Sequence, residues 1–334
     1  MISFFGAAST RLRWRMSIIM VVGVAALVAI AAGPRPEIDE TVRFDMSSVG
    51  ADVGQWLAER EAAVAGIKPG AEKEIVWADP ATRAKTPLAV VYIHGFSATK
   101  WETRPLPDKV AAALGANLFF TRLTGHGQDG AALARASMND WVNDMAEAIA
   151  VGERIGERVL VIATSTGATL ATWAVGNERL VNKVVGLVLI SPNYQLNGIS
   201  VGLLNMAWGQ QLLPLVFGQT RSFEPVNERQ AQWWTTSYPS RSVFAMAALM
   251  RAVERMDHGR STVPALFIHS PNDKVVSAET TRRVHDEWAG PKAIHEVEQV
   301  QDPSSHVLAG DILSPGTTDE LVGRIVEWAG GLER

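Results

Sequence analysis

The chain of 334 residues contains no cysteine, so disulfide bonds, thiolate catalysis and cysteine-ligated metal sites are excluded. It also has no excess of positive charge, because 31 lysines and arginines stand against 35 aspartates and glutamates and the formal net charge is −4. This balance gives no indication of nucleic-acid binding. The sequence shows no internal repeat, and no H-x-x-H pair or carboxylate cluster that would indicate a metal site. The missing cysteines do not decide the compartment.

One long apolar run is present, close to the N-terminus. Arg11, Arg13 and Arg15 precede the uncharged residues 16–34. As a signal peptide, the segment has a basic region, an apolar region and a cleavage-like motif at Ala29-Ile-Ala31. As a retained anchor it is just long enough to contact and span a bilayer, which takes about 20 residues, and the arginines then stay cytoplasmic. Both interpretations place the globular part outside the cytoplasm, and the length of the run favours the anchor. Uniform apolarity behind three arginines disfavours a buried core helix.

Short apolar runs alternate with helical patterns through most of the remaining chain. The strands are predicted at 74–77, 88–93, 117–121, 158–163, 184–190, 265–269 and 294–300, and the longest helix at 138–155. A fully apolar run such as 88–93 is typical of a central parallel strand that is covered on both faces. The alternation predicts an α/β fold with a mostly parallel sheet and helices on both faces.

One segment interrupts this alternation. Between Ser191 and Arg260 there is no clear strand, but several apolar helical stretches are present, one of them over 199–208. An insertion of this size predicts a helical cap, and additional core helices are the alternative. The predicted domains are the signal or anchor segment 1–34, a lead segment 35–72 with one helix, a core of 73–193 and 261–334, and the cap 194–260.

Tryptophans are concentrated in the predicted cap. Trp208, Trp233 and Trp234 all lie within it. They either form the core of the cap or line a ligand pocket. An apolar, aromatic cap favours a lipophilic ligand over a charged one.

Ser165 lies between a predicted strand and a predicted helix, in the sequence Ala163-Thr-Ser-Thr-Gly167. A serine nucleophile at a sharp strand-to-helix turn requires small residues two positions away on either side. Gly167 meets this requirement, whereas Ala163 stands where the G-x-S-x-G pattern has a glycine. The string alone also fits an ordinary serine at the end of a strand, so its interpretation depends on other residues.

A nucleophilic serine also needs an oxyanion hole, a base and an orienting carboxylate. The strand 88–93 runs into a turn at His94-Gly-Phe-Ser97, where the backbone N–H of Phe96 can serve as one oxyanion donor and that of Thr166 as the other. The position of His94 in this turn predicts a structural role.

The acid and the base are predicted after two later strands. Asp273 ends the turn that follows strand 265–269, and His306 lies in a polar loop after the last predicted strand. Ligands gather at the carboxyl ends of the strands in open parallel sheets. Asp302 is the main competitor for the acid, but it lies too close to His306 in sequence. Among the other histidines, His126 and His269 are expected to be structural, and His258, His285 and His295 to lie at the surface.

Five motifs in order carry a family resemblance: H-G-F-S at 94–97, T-G-H-G at 124–127, the sequence around Ser165, P-N-D-K-V-V at 271–276 and S-S-H-V-L at 304–308. Together they resemble the α/β-hydrolase superfamily, in particular the branch of monoacylglycerol lipases and carboxylesterases with a helical cap. The resemblance covers about residues 75–328 and does not account for the region before it. It implies serine hydrolysis of carboxylic esters without a metal or an organic cofactor.

The resemblance implies a triad of Ser165, His306 and Asp273 that cleaves esters of lipophilic acyl or alcohol groups through an acyl-enzyme. An amidase, peptidase, thioesterase or acyltransferase would use the same residues. An alternative from another class is a membrane-tethered binding protein that keeps the fold without catalysis, which Ala163 and the apolar N-terminus favour. The expected partner is a small lipophilic ester and not a nucleic acid.

Overall fold

The fold is built on a mostly parallel sheet, and the computed structural model describes residues 5–332. The strands are β1 (Glu74–Val76), β2 (Thr86–Ile93), β3 (Asn117–Phe120), β4 (Gly156–Thr164), β5 (Val184–Ile190), β6 (Thr220–Ser222), β7 (Ser237–Pro239), β8 (Ala265–His269) and β9 (Lys292–Glu296). Seven of them form one sheet in the order β1-β3-β2-β4-β5-β8-β9. All neighbours in it are parallel except β1 and β3. The predicted α/β class is confirmed.

Helices cover both faces of this sheet. The helices of the described residues are α1 (Phe5–Ala31), α2 (Val53–Ala62), α3 (Leu106–Ala113), α4 (Gly130–Leu133), α5 (Met138–Ile155), α6 (Thr166–Ala174), α7 (Glu178–Val181), α8 (Val201–Leu204), α9 (Gly209–Phe217), α10 (Glu228–Trp233), α11 (Val243–Glu254), α12 (Ala278–Glu287) and α13 (Pro315–Gly331). Successive strand residues point to opposite faces, so Val91 packs with α5, α6 and α11 whereas Val90 packs with α3 and α13. Burial on both faces explains the fully apolar sequence of β2.

The predicted bounds of α5 are confirmed, and the local sequence explains both ends. At its start, Ser137 and Asp140 form a capping box, in which each side chain accepts the backbone N–H of the other residue, so two unpaired donors are satisfied. At its end, the chain turns directly into β4 at Gly156. A Cβ on Gly156 would lie 2.4 Å from the backbone nitrogen of Ala89, so only glycine allows β4 to approach β2 at this point.

The lead segment 35–72 is packed onto the core through α2. Val53 and Leu57 are buried in the same cluster as α5 and α6. The buried side chains of Glu61 and Arg122 form an ion pair at 2.8 Å, and Arg60 pairs with Glu147 at 2.9 Å. This segment, for which the family resemblance has no account, is therefore an integral part of the fold.

The prediction that no strand lies between Ser191 and Arg260 is wrong. β6 and β7 pair antiparallel in a separate ribbon, and the three residues of β6 are polar and exposed, so no hydrophobic periodicity marks them. The helix expected over 199–208 is reduced to α8, because the chain leaves the helix at Asn205 and reaches a left-handed conformation at Trp208, with φ 63°. The segment between β5 and β8 also contains α8, α9, α10 and α11, and its assignment as a cap stays a prediction.

Two smaller predictions also need correction. The last strand, expected at 294–300, is β9, which begins two residues earlier and ends four residues earlier. The chain leaves the sheet after Val297, whose N–H donates to the carbonyl of His269 at 2.9 Å. His258, expected at the surface, is buried, and its ring stacks on Trp288 with 6.4 Å between centroids. It lies in a short turn that packs against α12, an environment that a turn sequence does not reveal.

The first helix stands apart from this packing. Its residues Leu12–Ala29 have a mean hydropathy of 1.8, and none of this stretch is buried. It is long and apolar enough to cross a membrane, and its exposure is inconsistent with a core helix. Both an N-terminal signal and an anchor have this form.

Candidate active site

Ser165 occupies the sharp turn between β4 and α6. Its backbone has φ 53° and ψ −116°, a conformation that residues with a side chain rarely adopt. A Cβ on Gly167 would lie 2.4 Å from the carbonyl oxygen of Ile93, so glycine lets α6 begin directly against the end of β2. Ala163 is fully buried and stays in register with Ile93 and Leu189, so its methyl group is accommodated. The turn has the geometry of a nucleophile elbow.

The structure brings the three predicted triad side chains together. His306 Nε2 lies 2.9 Å from Ser165 Oγ, and His306 Nδ1 lies 2.8 Å from Asp273 Oδ2. The other carboxylate oxygen of Asp273 accepts the N–H groups of Val275 and Val276 at 2.7 and 2.9 Å, which fixes its orientation. All three side chains are buried. They form a continuous hydrogen-bonded chain from carboxylate to hydroxyl.

Asp302, the competing acid, contacts the backbone of the histidine loop and not the ring. Its Oδ2 accepts the N–H groups of His306 and Val307 at 3.0 and 2.9 Å. On the other side, Ser191 Oγ donates to the carbonyl oxygen of His306 at 2.8 Å. Asp302 and Ser191 therefore hold the loop in place, whereas Asp273 orients the imidazole.

The electrostatics of the site favour a basic imidazole. Burial alone would lower the pKa of His306, but the charge and the hydrogen bond of Asp273, with further contributions from Glu102 and Asp302, raise this pKa above its usual value. An imidazole oriented in this way is suited to accept the proton of a serine hydroxyl.

The turn after β2 lies beside Ser165, as predicted. A Cβ on Gly95 would come within 3.0 Å of Ser165 Cβ. Phe96 follows this glycine, and its N–H donates to no acceptor within residues 5–332. Thr166 is the first residue of α6, where an N–H has no partner within the helix. The turn that carries Phe96 and the first residue of α6 thus both adjoin Ser165, and the role of the two N–H groups as oxyanion donors stays a prediction.

His94 has a structural position in the same turn. Its Nε2 accepts the N–H of Leu123 at 3.1 Å, and its Nδ1 donates to the carbonyl of Gly95 at 2.8 Å. Burial lowers the pKa of His94 to about 4, so the ring is neutral near pH 7. Its neighbour His126, 4.8 Å away between ring centroids, also has a pKa lowered by burial. These two rings join the loops after β2 and β3.

Glu102 is a site residue that the sequence did not reveal. It is 2% exposed, and its Oε2 accepts the Gly95 N–H at 2.7 Å and the Tyr92 hydroxyl at 3.2 Å. Burial raises the pKa of Glu102 to about 7, although the Gly95 N–H and the charge of His306 oppose this rise. In sequence it lies between Lys100 and Arg104, so it resembles an ordinary surface charge.

The three cap tryptophans lie in two different places. Trp233 is buried and stacks on Trp101 with 4.9 Å between centroids, and Trp234 belongs to the same hydrophobic cluster, which includes Ala98 and Val307 next to the catalytic loops. Trp208 is exposed, and it contacts the C-terminal end of α1 and the segment that follows it. A pocket function for the three stays a prediction.

A strained serine at a strand-to-helix turn, with an aspartate and a histidine supplied after later strands of a mostly parallel sheet, defines an α/β-hydrolase. Residues 84–300 match the family model described as serine aminopeptidase, S33. Because this match spans well over half of the chain, the protein belongs to that family.

The similar proteins include lipases and other lipolytic enzymes. A thermostable monoacylglycerol lipase from Bacillus sp. (strain H-257) is 26% identical over 199 residues, which cover 60% of this chain and 76% of that protein. A structure of the metagenome-derived lipolytic enzymes LipS and LipT has a TM-score of 0.64 at 20% identity and covers 78% of this chain and 98% of its own. The monoacylglycerol lipase of Paleococcus ferrophilus has a TM-score of 0.56 at 17% identity with the same coverage. The two structures show the fold, and the chain is a lipase/esterase-like α/β-hydrolase.

Proposed function

We propose that the protein is a serine hydrolase that cleaves carboxylic esters through an acyl-enzyme on Ser165. The observation that carries this proposal is the chain of contacts from Asp273 through His306 to Ser165 Oγ, at 2.8 and 2.9 Å. The strained turn at Ser165 adds support, because such a turn presents the hydroxyl at the carboxyl edge of the sheet.

The geometry implies a two-step acyl transfer. His306 takes the proton of Ser165 as the hydroxyl attacks the ester carbonyl, and the N–H groups of Phe96 and Thr166 stabilise the oxyanion. His306⁺, stabilised by Asp273, then protonates the leaving alcohol. Water enters, gives a proton to His306 and attacks the acyl-enzyme, and His306 then passes this proton to Ser165 Oγ as the acid is released. Each oxyanion donor typically contributes a factor of about 10²–10³ in turnover.

The substrate class is an ester with a lipophilic acyl or alcohol group, bound beneath the 194–260 cap. Support comes from the buried Trp234 beside the catalytic loops and from the monoacylglycerol lipases among the similar proteins. The family description names an aminopeptidase, and amides and thioesters suit the same triad. Matched ester, amide and thioester substrates with one acyl chain would separate these activities.

We further propose that residues 16–34 anchor the protein in a membrane or direct its export, so that the hydrolase lies outside the cytoplasm. The support is the exposed helical stretch Leu12–Ala29, whose uncharged part follows Arg11, Arg13 and Arg15. Fractionation of the native protein, with mass analysis of its N-terminus, would separate a retained anchor from a cleaved signal.

Ser165→Ala tests the catalytic proposal. We expect kcat on a short-chain p-nitrophenyl ester to fall by about 10⁵–10⁶-fold, as in other triads. A fluorophosphonate should form an adduct on the peptide that contains Ser165 in the wild type and none in Ser165→Ala. Wild-type activity in the variant would contradict the proposal, and a wild-type serine without adduct would favour the non-catalytic binding protein.

A further inference from the structure

Large hydrophobic side chains are exposed on one part of the cap. Beyond α1, the described residues include nine exposed large hydrophobic side chains. Six of these nine lie in a single stretch of 15 residues inside the cap, 203–217. These six, which we name the cap face, are Leu203, Trp208, Leu212, Leu215, Val216 and Phe217, with Leu215 and Val216 more than 70% exposed. Residues 184–220 contain no charged side chain. An exposed apolar patch of this kind marks an interaction surface.

The cap face is attached to the outer end of the apolar helix α1. The indole Nε1 of Trp208 donates to the carbonyl of Ala29 at 3.0 Å, and its backbone N–H donates to the carbonyl of Pro34 at 2.8 Å. Gly33 lies directly against the indole ring, because a Cβ on Gly33 would overlap it. Arg35 Nη1 adds a bond to the carbonyl of Asn205 at 3.1 Å. These contacts seat the cap next to the point where the apolar span ends.

The length of the span places this point at a membrane surface. The uncharged helical residues that follow Arg15, 16–31, rise about 24 Å, which approaches the thickness of a bilayer's hydrocarbon core. Ala29 would then lie at the boundary between hydrocarbon and headgroups, where tryptophan is the preferred side chain. The cap face, which Trp208 holds next to Ala29, would therefore also face this boundary of the bilayer.

We propose that the cap face binds the lipid bilayer next to the anchor, with α9 lying in the plane of the interface. The inference rests on the proposed membrane anchor and goes beyond it, because it assigns a second lipid contact to the cap. An interfacial helix buries its apolar side about 5–10 Å into the headgroup region. Because the cap face carries no charge, its binding depends on apolar burial and not on anionic lipids.

The absence of cysteine allows a site-specific test in the full-length protein. Val22→Cys on α1, Leu215→Cys on the cap face and Val64→Cys outside the cap each carry one environment-sensitive fluorophore. Val64 is the control, since it is an aliphatic side chain outside the cap that is also exposed, at 37%. The labelled proteins are reconstituted in phosphatidylcholine vesicles, with and without phosphatidylglycerol, and quenched by a nitroxide near the lipid headgroup or by aqueous iodide.

We expect the lipid nitroxide to quench the label at Leu215→Cys several-fold more than the label at Val64→Cys, equally in both vesicle types. Quenching at Val22→Cys reports the anchor separately. If Val22→Cys is quenched by lipid but Leu215→Cys stays open to iodide, the cap face is not bound to the bilayer and the proposal is overturned while the anchor stands. Protection of Leu215→Cys from both quenchers indicates a protein partner, such as a second copy, and also overturns it. If the label at Val22→Cys is quenched by iodide and not by the lipid nitroxide, α1 is not in the bilayer, and both the anchor and the cap proposal are overturned.

Discussion

Glu102 and Ser165 lie against the same residue, Gly95. A Cβ at that position would come within 2.7 Å of Glu102 Oε1 and 3.0 Å of Ser165 Cβ. The carboxyl group bonds to the Gly95 N–H, and its charge raises the pKa of His306. Glu102 thus both positions the turn that carries Phe96 and influences the base.

Glu102→Gln separates these two roles, because the amide oxygen still accepts the Gly95 N–H while the negative charge is lost. His306 must be neutral to act as a base, so kcat/KM rises with pH as His306 loses its proton. Since the charge of Glu102 raises the pKa of His306, its removal should move this acidic limb to lower pH. In the wild type, Glu102, with a pKa of about 7, titrates in the same range, so the limb reflects both groups.

The pH profile of kcat/KM on a p-nitrophenyl ester measures the shift. Exposed Glu157→Gln, which removes a charge at the opposite end of β4, is the control and should not move the limb. An unshifted limb in Glu102→Gln would show that Glu102 has no electrostatic effect on His306.

At the scale of residues, chain order and strand ends were sufficient to predict which side chains meet. Ser165, Asp273 and His306 each follow a parallel strand, and such strands end at one edge of the sheet. The position of Glu102 could not be predicted, because its burial depends on how the turn 99–105 folds back on Gly95. The contact of Trp208 with Ala29 likewise joins segments that are 179 positions apart.

At the scale of elements, Gly167 controls how β4, α6 and the end of β2 fit together. Gly167→Ala would place a methyl group 2.4 Å from the carbonyl oxygen of Ile93. We expect α6 to shift, which should lower the free energy of unfolding by about 1–3 kcal/mol or more. The shift should also lower kcat, because Ser165 is at the start of the helix. Denaturant unfolding and ester hydrolysis measure the two effects.

Gly323→Ala is the matched control for this substitution. Gly323 also lies in a helix, α13, but a Cβ there meets no atom within 4 Å. Alanine should stabilise that helix by about 0.5–1 kcal/mol and leave kcat unchanged. Equal stability changes in the two variants would mean that the close approach at Gly167 does not constrain the elbow.

Elements with strong local signals were predicted well. The capping box at Ser137 and the glycine at 156 delimit α5, and the apolar runs delimit β5 and β8. The cap was predicted less well, because three-residue strands such as β6 lack periodicity and the chain reversal at Trp208 depends on its tertiary contacts.

At the scale of the whole molecule, the lead segment is bound to the core by apolar burial and by charge pairs. Arg122, on the loop after β3, is 4% exposed and bonds to both carboxylate oxygens of Glu61 at 2.9 and 2.8 Å. Trp173 of α6 donates its indole N–H to Glu40 at 2.7 Å, and Arg154 of α5 donates to the carbonyl of Val49 at 2.6 Å. Loss of the segment would leave Arg122 buried without its carboxylate.

Two truncations distinguish the roles of α1 and the lead segment. A chain that begins at Arg35 lacks the apolar helix, and none of the span Leu12–Ala29 in that helix is buried. This chain should therefore fold and hydrolyse a soluble short-chain ester. It should unfold at nearly the same temperature as the full-length protein in detergent. A chain that begins at Gly66 also lacks α2 and Glu61. Breaking a buried ion pair typically costs about 3–5 kcal/mol, and the loss of Val53 and Leu57 adds to this, so the shorter chain should be largely unfolded. Glu61→Gln in the Arg35 background isolates the charge pair, and circular dichroism during heating gives all three unfolding temperatures. Equal temperatures for the two truncated chains would mean that the hydrolase core is complete without the lead segment.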